Sequence, residues 1–319
     1  MTQIRDLEDG KEGFGFYYLR EKLNKVTRQG KDYFDLVLED ETGTILARVW
    51  EIDKQVKGDL TSDTYVKAEY LADTYNEQLQ LKILMIREIQ DSDYDEGFDE
   101  SSCHRSSPFP IDKMWEEIRK ISSECSSKVS ELLFSVLDEY SDSLRAWPAA
   151  SKMHHAYFGG LLEHTLSVTK TCIYFAKKYR VSRDLIVSGA ILHDIGKLEE
   201  LSRASGGEYT KKGRLVGHIV LGRDIVRKFA SKIPDFPEDF LLELEHLILS
   251  HQGQPEWGTV KVPMSKEALL LHYADDTDAK FNLVSNYIAD DKSEGSFTNY
   301  YPNMNRVFLK GTKSAEDQD

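Results

Sequence analysis

Ile191-Leu192-His193-Asp194-Ile195-Gly196-Lys197 decides how this chain is read. An apolar run that begins near Asp184 stops at an adjacent imidazole and carboxylate, and Gly196 is placed to break the helix. A carboxylate buried beside an imidazole is costly unless both are paired or hold a metal. Neighbours on a helix point about 100° apart, so His193 and Asp194 do not share one face. At a helix end they can still converge on one ion or on two adjacent ions.

The surroundings are helical. Ile111, Trp115, Ile118, Ile121, Cys125, Val129, Leu132, Val136 and Tyr140 recur at spacings of three or four, which is a helical pattern. Leu161 to Tyr179, Asp184 to Leu201, Gly217 to Ala230, Glu238 to His251 and Ser265 to Asp290 repeat the pattern, with Asp184 and Ser265 as N-caps. No strand of comparable quality follows residue 110. Residues 111–319 read as an all-α domain of six or more helices.

Eight of the nine histidines lie between 154 and 272. His164 interrupts the apolar helix that starts at Leu161. Asp275, Asp276 and Asp278 interrupt the apolar run that starts at Leu269. His218 opens one helix and His251 closes another, with His246 five residues earlier. Each sits where an apolar helix meets something polar, as metal ligands in a helical bundle do. Asp276 reads as a solvated helix charge, His272 as packing, His104 as without a role, and Lys197 also suits a helix-end charge.

Residues 1–90 have a different period. Phe16 to Leu23, Tyr33 to Glu39, Thr44 to Trp50, Tyr65 to Ala72 and Leu79 to Glu88 read as five short strands punctuated by turn residues. That spacing predicts a small barrel, best matched by the OB type, with an SH3-like barrel as the alternative. Tyr33, Arg48, Trp50 and Tyr75 are its candidates for stacking bases and tracking a backbone. Residues 91–110 carry six acids against one arginine and no periodicity, and read as a solvated acidic linker.

The net charge of −14, from 41 basic and 55 acidic residues, excludes a general electrostatic coat for nucleic acid. A local nucleic-acid site with metal to offset the repulsion stays open. Three cysteines, an odd number with no C-x-x-C pair, argue against a disulfide framework or zinc knuckle and suit a reducing cytoplasm. Neither a secretory signal nor a membrane span is expected.

His164, His193-Asp194 and Asp275, in this order, resemble the H…HD…D signature of the HD-domain metal-dependent phosphohydrolases. A small barrel ahead of such a domain resembles the YhaM-type 3′→5′ exoribonucleases. So do the stretches Met153 to His164, His246 to His251 with Glu256-Trp257-Gly258, Glu267 to Lys280, and the tail from Tyr300 to Gly311. The resemblance implies that His164, His193, Asp194 and Asp275, in preference to Asp278, hold a first metal. It assigns His218 and His251, with His246, to a second, and Asp194 as the bridge. It places His154 and His155 beside substrate and Lys197 against a phosphate oxygen. Where the family reads His-His-Gly, this chain reads His251-Gln252-Gly253, which leaves one or two ions open.

Imidazole with carboxylate suits Mn²⁺, with Mg²⁺ and Fe²⁺ as alternatives. The expected activity is 3′→5′ hydrolysis of single-stranded RNA, and of single-stranded DNA as a further substrate, releasing nucleoside 5′-monophosphates. A small-nucleotide phosphohydrolase and a catalytically weak RNA-binding module are the alternatives, and the barrel favours a polymer. The resemblance also implies a homo-oligomer of unstated size.

Overall fold

The computed structural model describes residues 2–27, 29–76, 78–103, 106–149, 157–201, 209–291 and 293–311. Its N-terminal part is one sheet of β1 (Glu12–Val26), β2 (Asp32–Asp40), β3 (Gly43–Val49), β4 (Val56–Lys57), β5 (Thr64–Tyr75) and β6 (Gln78–Glu88), with a single turn, α1 (Ile52–Gln55), after β3. The strand order is β3-β2-β1-β5-β6-β4. Antiparallel pairs build the sheet, and a parallel contact of Ala47 and Arg48 with Leu81 and Lys82 closes it. Five long strands closed in this way, with a long first strand shared by β2 and β5, make the OB-type barrel expected above.

Alternation fills the barrel. Leu36 and Leu38 of β2, Ile45, Ala47 and Val49 of β3, and Val66, Ala68 and Tyr70 of β5 point inward with Leu81, Ile83 and Ile86 of β6. Ile83 and Ile86 are three apart because a bulge opposite Glu69 and Tyr70 adds one residue, which leaves Leu84 and Met85 outside.

β1 breaks the alternation, since Phe16, Tyr17, Tyr18 and Leu19 are all buried. Its outer face is covered by the acidic stretch. There α2 (Asp91–Asp95) and a 3₁₀ turn at Glu100–Cys103 bring Phe98 and Cys103 onto Phe16 and Tyr18. Asp93 is fully buried and accepts two hydrogen bonds from the Arg87 guanidinium at 2.6 and 2.7 Å. The solvated reading of this segment therefore fails for its first half. Its acids are not all surface charges, because one of them anchors the segment to β6.

The second part is helical. It comprises α3 (Ile111–Ser123), α4 (Ser127–Glu139), α5 (Ser141–Ala146), α6 (Gly160–Tyr179), α7 (Arg183–Leu192), α8 (Lys197–Glu200), α9 (Lys211–Val216), α10 (His218–Ala230), α11 (Glu238–Ser250) and α12 (Lys266–Asp290). One apolar cluster runs through all of it except the short α9. The helical pattern from Ile111 to Tyr140 forms two helices, parted at Glu124–Ser126, where the Ser126 N–H donates to Asp184 at 2.9 Å. Periodicity hides that break because α3 and α4 face the same core. Asp184 is thus spent on Ser126, and the N-cap of α7 is Ser182, whereas Ser265 caps α12 as expected. No helix among the described residues is long and apolar enough to cross a membrane.

Candidate metal centre

Residues Leu185 to Leu192 of α7 are all buried, so the helix delivers its C-terminal end into the core. A tight turn follows, with Ile195 N–H bonded to Leu192 and Lys197 N–H to Asp194. Gly196 permits the turn to lie on α10, since a Cβ there would stand 2.0 Å from the His218 carbonyl oxygen. His193 and Asp194 are thereby buried and brought to residues of four other helices, α6, α10, α11 and α12.

Two groups of ligand atoms result. In the first, His164 Nε2 from α6 lies 3.2 Å from His193 Nε2 and 3.2 Å from Asp275 Oδ1 of α12. In the second, Asp194 Oδ1 lies 3.6 Å from His218 Nε2 at the start of α10 and 3.7 Å from His251 Nε2 at the end of α11. The other oxygen, Asp194 Oδ2, faces the first group, 3.4 Å from His193 and 3.6 Å from His164. Asp194 therefore spans both groups, one oxygen each.

The rear nitrogen of every imidazole is held. His193 Nδ1 donates to the Ala190 carbonyl and His251 Nδ1 to the Ile248 carbonyl, both at 2.8 Å. His164 Nδ1 meets Asp278 Oδ2 at 2.7 Å, and His218 Nδ1 meets Glu200 at 3.1 Å. Each front Nε2 of a neutral ring is then a lone pair. Four imidazole nitrogens and two carboxylates converge on one buried space, an arrangement that positive charge, a metal ion or a proton, satisfies. Asp194 Oδ1 and His218 Nε2 are buried with no hydrogen-bond partner among the described residues. The donor set fits divalent metal, with six protein ligands from five elements.

Protonation follows the same logic. Burial opposes a charge on His164, but Asp275 and Asp278 outweigh it and push its pKa up to about 9. Burial, helped by His193, pulls His251 down to about 4. Burial would raise Asp194, yet Lys197 and His193 hold it well below the carboxylate range.

On the barrel, Tyr33 stacks on Trp50 at 4.8 Å, and the Arg48 guanidinium stands 5.8 Å from Trp50 and 5.6 Å from Tyr75. Arg48, Trp50 and Tyr75 line a cavity of about 560 Å³. All four residues singled out in the sequence share this face.

Residues 161–280 match the HD domain family. The 3′-5′ exoribonuclease YhaM of Geobacillus sp. (strain WCH70) is 33% identical over 298 residues, spanning 92% of this chain and 90% of its own. The chain belongs to the YhaM family. The second OB-fold domain of replication protein A from Methanococcus maripaludis is similar over 28% of this chain and 94% of its own, at 16% identity and a TM-score of 0.23.

In this YhaM-family chain, six residues read from the sequence as ligands, His164, His193, Asp194, His218, His251 and Asp275, are brought together. His246 is not. Its Nε2 accepts the Met264 N–H at 2.9 Å, because five residues of helix turn it about 140° from His251. Lys197 lies 2.6 Å from Asp194 Oδ2, committed to that carboxylate in place of an open phosphate position. Gln252 points its amide at His251 Nε2, 3.3 Å away. Asp276 pairs with Lys280 on the helix surface. His272 does more than pack: its Nδ1 donates to the His251 carbonyl, and its ring lies where a Cβ on Gly253 would fall. His154 and His155 lie outside the described residues.

Two contributors escaped the sequence reading. The sequence favours Asp275 over Asp278, yet both act on His164, one at each nitrogen. The three-residue spacing of Asp275 and Asp278 on α12 was the available signal. Glu200, which also accepts the His218 backbone N–H at 2.9 Å, carried no signal in the sequence.

Proposed function

We propose that this chain is a metal-dependent 3′→5′ exoribonuclease that releases nucleoside 5′-monophosphates from single-stranded RNA, with single-stranded DNA as a further substrate. The observation that carries this reading is the pair of ligand sets joined by Asp194. His164, His193 and Asp275 would hold one ion, His218 and His251 the other, and Asp194 both. Mn²⁺ is the ion these donors suit best. Bound there, the ions would polarise a phosphoryl oxygen and acidify water.

The chain's own residues do the rest. Asp278 and Glu200 hold two imidazoles in one tautomer and orientation. Lys197 offsets the charge of Asp194 at the buried turn. The barrel, residues 1–90, holds the single strand on Tyr33, Arg48, Trp50 and Tyr75. Residues 91–110 connect it to the HD domain at 111–319. His154 and His155 border the substrate. The relative from Geobacillus is named for this activity, and the barrel supports a polymer over a small nucleotide. The buried thiols Cys103, Cys125 and Cys172 support a reducing, cytoplasmic compartment.

The test is a sequencing gel of 5′-labelled single-stranded RNA incubated with the protein and Mn²⁺. A ladder shortening from the 3′ end, lost with EDTA and in Asp194→Ala, is expected. Intact RNA with Mn²⁺, Mg²⁺ and Fe²⁺ alike would overturn the reading.

A further inference from the structure

The cavity on the barrel has an unusual charge balance for a groove that tracks phosphates, which is normally net positive. Here the barrel carries 13 basic and 18 acidic residues. Arg48, the cation at the centre of the face, donates from Nε to Asp35 at 3.1 Å. Glu51 is paired with Lys54 at 2.8 Å and Lys31 at 3.6 Å. Both ends of the Gln55 amide are engaged, one with the Glu51 N–H and one with the Ile83 carbonyl.

Lys82 and Gln80 also line the cavity, and beside them two features can meet a base. One is the aromatic shelf, where Tyr33 backs Trp50 at an interplanar angle of 23° and Tyr75 stands across Arg48. The other is Asp73, which lines the cavity and pairs across the β5–β6 ladder with Gln80. Among the described residues no cation pairs with Asp73. An ionised carboxylate only accepts hydrogen bonds, so its ligand must donate. The π-face of a base meets the shelf, and an exocyclic amino group meets the carboxylate. Adenine and cytosine offer such a group, whereas the ring N–H of uracil is flanked by two carbonyl oxygens that would face the carboxylate.

We propose that the barrel cavity is a base pocket selective for amino-bearing nucleobases, with Trp50 as its shelf and Asp73 as its reader. This rests on the barrel being the single-strand face proposed above. Specificity then comes from the base.

The experiment uses the full chain in EDTA, so that RNA stays intact, and fluorescence anisotropy with short oligo(A), oligo(C) and oligo(U). Oligo(A) and oligo(C) should bind about fivefold or more tighter than oligo(U). Asp73→Asn should bring the three within about twofold while leaving oligo(U) unchanged. Trp50→Ala should weaken all three by about fivefold or more, and Tyr75→Ala carries the same expectation should Trp50→Ala unfold. Equal binding of the three oligomers, or a preference that survives Asp73→Asn, would overturn the selectivity while the loss in Trp50→Ala kept the barrel as the binding face. Unchanged binding in both aromatic variants would overturn both.

Discussion

Asp278 Oδ2 lies 2.7 Å from Nδ1 of His164, the ring nitrogen opposite the one that faces Asp275. Its other oxygen accepts from the Ser167 hydroxyl, so the carboxylate is itself held. Glu200 does the same for His218. Each group of ligands thus has one imidazole backed by a carboxylate and one backed by a carbonyl.

Removing one backing carboxylate should loosen one ion and spare the other. Asp278→Asn is expected to weaken the first Mn²⁺ by about 10–100-fold, and Glu200→Gln the second by a similar factor. Calorimetric titration separates them, because each variant should keep one ion at its original affinity. Equal weakening of both ions by either variant would reject independent support.

Metal should stabilise the helical domain, because it satisfies the lone pairs that otherwise face each other. At Mn²⁺ about 100 times its dissociation constant, each ion adds about 2.7 kcal/mol. A rise in Tm of about 5–10 °C per ion, about 10–20 °C for both, is expected for a domain of this size. Asp194→Ala should lose nearly all of it, since both groups share that side chain. Differential scanning fluorimetry with and without EDTA reads the outcome.

The acidic connector should come off the barrel in acid. The Arg87 guanidinium holds the Asp93 carboxyl down at about 2, from an ordinary value of 3.8. A carboxyl depressed in the folded state stabilises it fully above the unfolded value. That stability, about 2 kcal/mol, is lost as pH falls from near 4 through 2. Asp93→Asn should cost about 3 kcal/mol at neutral pH, since Arg87 loses its charged partner. Cleavage after Glu96 and Glu100 by a glutamate-specific protease should accelerate in that variant. Unchanged cleavage would mean that Phe98 and Cys103 suffice to hold the segment.

Gly196→Ala tests the close approach behind the turn. The new methyl would meet backbone on His218 and Gly222, neither of which can swing aside as a side chain can. A loss of about 3 kcal/mol or more in urea unfolding is expected, together with loss of the second Mn²⁺. Retained binding of both ions would show that α10 can retreat without moving His218.

Much of this was legible because periods and ligand types are local properties. Alternation in Tyr33 to Glu39 and Thr44 to Trp50 marked strands, since a barrel strand must put every second side chain inside. His164, His193 and His251 stood out because an imidazole in an apolar helix needs a partner. The contributions of Asp278 and Glu200 were less legible, because a carboxylate behind a histidine looks like any helix charge until the helices are docked. The acidic connector misled for the same reason: composition counts Asp93 as solvent-seeking, but burial depends on Arg87, which lies on another element.

The sequence by itself determined the two-part architecture, the turn at His193-Asp194 and the kinds of donor available to a metal. Those follow from side-chain chemistry and from spacing along the chain. Only the tertiary structure decided that Asp194 gives one oxygen to each group, that His246 turns away, and that Lys197 is bound to Asp194. Those depend on where five elements meet, and distances across a core are set by packing between segments that sequence order leaves far apart.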